Sequence, residues 1–255
     1  MAILAKKTIA LKIVFAFISL AFFSAGFSQQ TKQDQRVWFA FTGQYKVSNH
    51  WGYHIEAQFR MDNQLEQSQQ NLFRVGTIYY LSDTKNLSVG YALVNTFSSS
   101  ADDFFKENRL WEQFQVNKKW RDGKNLMTNR FRLEQRWVEK IGLVEANVVS
   151  MGSDYQNRLR YLNRNLFHLT DLKSTKEELY LVVQNEIFLT LGDNKVNAKV
   201  IDQNRFLIGL GLNYNNNIRL ELGYLNHFIT SSFSNDVMNH TLSISFIQNL
   251  LLQKP

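Results

Sequence analysis

The chain has 255 residues, with 29 Lys and Arg against 22 Asp and Glu, no Cys, and a single Pro, the terminal Pro255. Without Cys there is no disulfide, no thiolate metal site and no thiol nucleophile. The basic excess is mild and the aromatics follow a strand period, so the composition does not argue for nucleic acid as a partner.

The first element reads as an export signal. Lys6, Lys7 and Lys12 form a basic region, Ile13 to Phe23 an apolar run, and Ala25, Gly26 and Ser28 the small residues that precede a cleavage point. Residues 1–28 are therefore expected to be a signal peptide, and residues 29–255 the working domain. The competing reading is an anchor helix, because Ile9 to Phe27 could nearly span a bilayer. No Cys follows the apolar run, which excludes a lipoprotein. Removal of three Lys leaves 26 basic and 22 acidic residues, a net charge of +4.

The rest of the chain alternates apolar and polar residues between turn-forming stretches. The pattern predicts strands over Arg36–Val47, Trp51–Met61, Leu72–Leu81, Leu87–Thr96, Arg109–Trp120 and Leu126–Val138. Further strands follow over Asn157–Phe167, Glu178–Leu189, Gln203–Tyr214, Ile218–Phe228 and Asn239–Asn249. Soluble strands are usually about 5–6 residues long, whereas a tilted membrane strand needs about 9–11. These strands have the membrane length. Pro, which cannot donate to a sheet ladder, is missing from all of them.

Connections alternate short and long. Ser48–His50, Ser82–Asn86, Arg121–Lys124 and Asn215–Asn217 are short, and His168–Glu177 is intermediate. Met61–Asn71, Phe97–Asn108, Glu139–Gln156, Thr190–Asp202 and Ile229–Met238 are long. Outer-membrane barrels put short turns in the periplasm and long loops outside. Eleven strands is an odd count, and the first and last would run parallel. Single-chain bacterial barrels use even numbers, so the expectation is an all-β, antiparallel, up-and-down transmembrane barrel of 10–12 strands.

One phase of the strands is apolar, as in Val37, Phe39 and Phe41, or Leu220, Leu222 and Tyr224. The other phase holds 11 of the 13 Arg: Arg60, Arg74, Arg109, Arg130, Arg132, Arg136, Arg158, Arg160, Arg164, Arg205 and Arg219. With them stand Glu56, Glu134, Glu186 and Glu221, while all 11 Asp fall in loops or at strand ends. A solvated face would mix these charges. A crowded interior selects Arg for its planar, weakly hydrated fork. Gly76, Gly90, Gly209, Gly211 and Gly223 share the Arg phase and would give long side chains room. Trp51, Tyr79, Trp120, Trp137 and Tyr214 lie near strand ends, where interfacial girdles form. The Arg phase is accordingly expected to face a lumen.

The most specific run is Arg130-Phe-Arg-Leu-Glu-Gln-Arg136. Around it stand Trp38, Arg60, Arg74, Gly90-Tyr91, Glu107-Asn-Arg-Leu-Trp-Glu-Gln113, Arg158-Leu-Arg160, Asn185-Glu186, Asp202-Gln-Asn-Arg205 and Glu221-Leu-Gly-Tyr224. In this order the residues resemble the "domain of unknown function 2490" family, uncharacterised predicted outer-membrane barrels. The resemblance covers nearly the whole chain after the signal. It implies a barrel in the cell outer membrane of a Gram-negative bacterium, and no established activity. Such chains often end on an aromatic residue, but here Phe246 is followed by Leu250-Leu-Leu-Gln-Lys-Pro255.

Three functions remain open at this level. One is a porin-like passage for anionic or polar solutes, since rings of Arg select anions. The second is a non-conducting structural or surface-interaction barrel, filled by its own side chains. The third is a rim hydrolase using His227 or His240 beside Thr230, Ser231, Ser232 and Ser234, with Asn226, Asn239 or Asp236 to orient the imidazole. The expected partners are outer-membrane lipid and the barrel-assembly machinery, with small anions as solutes. No cofactor is expected. Asp102, Asp103 and Asp154 read as solvated loop acids, and the pair His50 and His54 lacks a metal-type partner, so no metal is assigned.

Overall fold

A computed structural model describes residues 31–62, 67–145, 147–172, 177–192, 196–215, 217–232 and 234–252. The expected signal peptide, residues 1–28, lies outside them. Eleven strands make up the fold: β1 (Lys32–Lys46), β2 (Trp51–Asp62), β3 (Gln67–Ser82), β4 (Lys85–Ser98), β5 (Asp103–Trp120) and β6 (Asn125–Val144). They continue as β7 (Asn147–Asp171), β8 (Glu177–Leu191), β9 (Ile201–Tyr214), β10 (Ile218–Ile229) and β11 (Val237–Leu251). Each strand pairs with its neighbours in sequence, and β1 closes on β11 to form a barrel.

Every consecutive pair is antiparallel, but the seam is not. β1 and β11 run parallel, in register from Lys32 opposite Val237 to Lys46 opposite Leu251. The expectation of a wholly antiparallel sheet is corrected here. An odd number of strands joined by hairpins must start and finish in the same direction, and a parallel ladder is the only way to close them. The start of β1 therefore stands at the end of the barrel that carries the long connections. The finish of β11 stands at the short-turn end.

Short turns use left-handed backbone, mostly at residue types that tolerate it, with Arg121 the exception. Arg121, Asp122 and Gly123 have φ of 54°, 55° and 82°, and Asn215 has 52°. Strands extend further than expected at the long-connection end. β5 begins at Asp103, so Glu107 is a strand residue. β6 and β7 continue to Val144 and from Asn147, with a register shift between Glu139 and Ile141, so most of the stretch expected as a loop is hairpin.

The apolar phase faces outward. Ile55, Phe73, Val75, Val89, Leu210 and Leu222 all have exposed side chains. Trp51 packs edge-on to Tyr79 at the short-turn end, and Trp137 lies against Tyr155 towards the other. Polar side chains on this outer wall bond to one another: Asn163 to Asn129 at 2.9 Å, Asn185 to Asn204 at 3.4 Å, and Gln135 to Glu112 at 3.2 Å. The inner face is mixed rather than purely polar. Trp38, Leu166, Tyr180, Val182, Leu207 and Leu225 form a buried apolar cluster inside the barrel.

The inward glycines serve aromatics more directly than arginines. Gly76 and Gly90 are cross-strand partners, and a Cβ on Gly90 would lie 2.6 Å from Gly76 Cα and 2.7 Å from the Trp111 ring. Gly211 likewise lies under the Tyr180 ring. Trp111 is fully buried in the space this makes and carries guanidiniums in turn, with Arg132 4.9 Å and Arg74 5.8 Å from its ring centroid.

Candidate functional site

The strand period turns Arg60 on β2, Arg74 on β3, Arg109 on β5, and Arg130, Arg132 and Arg136 on β6 inward. It does the same for Arg158, Arg160 and Arg164 on β7, Arg205 on β9 and Arg219 on β10. The structure gathers most of them into one layer. At its centre is Glu134 on β6, with 0 % of its surface exposed. Its carboxylate accepts from Arg160 at 2.7 Å, Arg158 at 2.6 Å and Arg74 at 3.3 Å. Arg74 also donates to Glu56 at 2.5 Å, and Arg160 to Glu186 at 2.8 Å. Arg130 reaches Glu186 at 2.6 Å.

Phe188, fully buried on β8, extends the layer. Arg160 and Arg205 each stand 4.4 Å from its ring centroid, and Arg158 stands at 5.1 Å. Arg205 lies 5.0 Å from the centroid of Trp38 on β1, and Arg60 lies 4.1 Å from the same ring. The contacts thus run from Glu56 through Arg74, Glu134, Arg160, Phe188, Arg205 and Trp38 to Arg60, returning to the strand on which they began. Cation–π contacts of this kind are worth about 2 kcal/mol or more where both groups are desolvated.

Three inward groups were not anticipated from the sequence. Glu107 receives Arg109 at 2.9 Å and also pairs with Arg136. Asp202 is buried and pairs with Arg158 at 3.0 Å, contrary to the expectation that every Asp stays out of the lumen. Arg36 sits on the inner phase with Trp38 and pairs with Asp34 and Asp62 at the long-connection end. The signal for Glu107 was present, since it lies in phase with Arg109 two residues on, just before the expected strand start. Asp202 is three residues from Arg205, out of phase by period two, and turns inward at the register shift opposite Phe188 and Leu189.

The eleven anticipated arginines face six carboxylates rather than four. Glu221 takes one of them, Arg164, at 2.5 Å, and also the Tyr180 hydroxyl at 2.5 Å. Among the described residues, Arg60, Arg132, Arg205 and Arg219 have no carboxylate partner. Arg132 donates to Gln113 at 2.6 Å, Arg205 to Gln203 at 2.9 Å, and Arg60 to Gln58 at 2.7 Å. Arg219 faces the side-chain amide of Asn249.

The layer separates two spaces. On the short-turn side is a cavity of about 1000 Å³, running from Asp83, Thr84 and Lys119 up to Glu186, Arg160 and Arg205. On the long-connection side is a cavity of about 90 Å³, to which eight arginines and no acid contribute.

The two histidines weighed for rim chemistry point to opposite faces. His227 is buried inside, 5.2 Å from Trp38 ring to ring, with Nε2 3.0 Å from Gln203. His240 is on the outer wall, bonded to Gln33 at 2.7 Å and to the Tyr224 hydroxyl at 2.5 Å. In the connection between them, Ser232 bonds Asn197 at 2.8 Å and Ser234 bonds Ser231 at 2.9 Å.

No solved structure matches the chain significantly. An uncharacterised protein of Methylorubrum extorquens is similar to it, 27% identical over 238 residues that cover 92% of this chain and 96% of that one. The family model described as "Protein of unknown function (DUF2490)" matches residues 35–238, from Gln35 on β1 into the last strand, and the chain belongs to that family.

Proposed function

We propose that this protein is an exported outer-membrane β-barrel whose lumen is closed at mid-height by its own arginine–carboxylate layer, so that it does not act as an open pore. The observation that carries the reading is the sidedness of the wall: apolar side chains outside, a charged layer bonded across the inside. Soluble monomers rarely expose apolar patches above a few hundred Å². Here the exposed apolar residues recur on strands all around the barrel, from Phe39 on β1 to Leu242 on β11. Lipid is the solvent that such a wall suits, and closure of the sheet satisfies its backbone. The bonding of outer-wall amides to one another suits the same solvent, which offers them no partner. In this reading the wall's partner is outer-membrane lipid, insertion is by the barrel-assembly machinery, and no catalytic step is assigned to His227 or His240.

The excess of guanidiniums favours a second reading, an anion-selective passage that opens when the layer parts. The two are separated by cysteines, which the natural chain lacks. Gln69→Cys lines the small cavity and Gln115→Cys the large one. In intact cells a membrane-impermeant thiol reagent is expected to modify Cys at 69 and to spare Cys at 115. Modification at both positions supports the passage, and modification at neither contradicts surface exposure of the long-connection end.

A further inference from the structure

The small cavity has a composition that the closed-barrel reading does not require. Its walls come from the long-connection halves of the strands, from Arg36 on β1 to Ile229 on β10. Arg74, Arg136, Arg158 and Arg160 reach it with their charge already balanced by Glu56, Glu107, Glu134, Glu186 and Asp202, which stand behind them and outside the cavity. Arg60 and Arg205 reach it with no carboxylate partner among the described residues. Both are more than nine-tenths buried, and both crowd onto the one Trp38 ring.

Their hydrogen-bonding is also incomplete. The Nε–H groups of Arg36, Arg60 and Arg205 are buried and find no acceptor among the described residues. A guanidinium cannot shed its proton to escape such a site. An isolated buried charge costs several kcal/mol, and it is retained only where something of opposite sign repays it. Two uncompensated positive charges among eight guanidiniums on one small space, with no acid on its walls, call for a compact anion with several acceptor oxygens. The guanidinium fork matches that geometry, as it does wherever phosphate is bound.

Size narrows the class. A water needs roughly 10–15 Å³ of such space, so about 90 Å³ has room for one tetrahedral ion of five heavy atoms with a few waters, and not for a large solute. We propose that this cavity binds a single tetrahedral oxyanion, a phosphate or sulfate, either free or as the terminal phosphoryl group of a larger molecule, entering from the long-connection end. The inference concerns the inside of the barrel and holds whichever solvent surrounds it. Its failure would leave the closed-barrel reading untouched.

The test is calorimetric titration of the mature chain, folded in detergent micelles at low salt, with inorganic phosphate, sulfate and glycerol 3-phosphate. Saturable binding of phosphate or sulfate is expected. Binding of glycerol 3-phosphate as well assigns a terminal phosphoryl group, and its exclusion assigns the free ion. Arg60→Gln and Arg205→Gln should each weaken binding about tenfold or more, the scale of one lost charge-assisted hydrogen bond. Lys124→Gln, which removes one charge at an exposed turn, should leave binding unchanged. Wild-type protein alone gives a second readout, a rise in unfolding temperature with phosphate beyond that of chloride at equal ionic strength. No saturable binding by wild type, equal competition by chloride, or full binding by folded Arg60→Gln and Arg205→Gln overturns the proposal.

Discussion

Arg74 on β3 and Glu134 on β6 meet at 3.3 Å although β4 and β5 stand between their strands in the wall. The contact is a chord across the lumen, and two others are like it. Arg164 on β7 reaches Glu221 on β10 past β8 and β9. Arg205 on β9 reaches the Trp38 ring on β1 past β10 and β11. Barrels of about eight strands fill with side chains, and those of 16 or more keep a channel. With eleven strands, long side chains bridge the interior, and Arg suits this better than Lys because its planar fork can bond two acids at once, as Arg160 does with Glu134 and Glu186.

Glu134 is the acid on which three of these guanidiniums depend, so Glu134→Gln should be strongly destabilising. Removing one partner of a buried ion pair costs about 3–5 kcal/mol, because the remaining charge stays buried. Urea unfolding of the folded barrel in detergent measures this. Asp83→Asn, in an exposed turn, should stay within about 0.5 kcal/mol of wild type. A Glu134→Gln variant as stable as Asp83→Asn would show that the layer is not held by its central carboxylate.

The parallel seam makes a topological prediction. The start of β1 and the finish of β11 stand at opposite ends of the barrel, so on the proposed outer-membrane location epitope tags inserted after Thr31 and after Leu252 should fall on opposite sides of that membrane. Antibody labelling of intact against permeabilised cells reads this directly. Exactly one tag should be reached from outside. Two tags on one side would mean an even strand count and an antiparallel seam.

The strands, their order and the two faces were legible because alternation with period two and turn residues are local signals. Every expected strand is present, from the first around Phe39 to the last around Ser243. Even the parallel seam was implied by the odd count. What was not legible depends on how the sheet curls. Nothing local to Arg74 indicates that it meets Glu134, since that pairing follows from the stagger of the strands around the barrel. The same holds for Trp111, which fills the space above Gly76 and Gly90 on strands whose register fixes that meeting. Glu107 and Asp202 were missed for a different reason. Acids near a strand end read as loop residues, whereas here Glu107 lies in phase with Arg109, and Asp202 is turned inward by a bulge that period-two alternation does not show; both offset part of the positive charge inside.

Closure of the lumen by its own bonded charges is open to electrical recording from the purified chain of residues 29–255 in planar bilayers at neutral pH. The protein is expected to insert, verified by protease protection in matched vesicles, and to give no steady conductance above that of the bare membrane. A stable, ohmic, anion-selective current from the wild-type protein would contradict it.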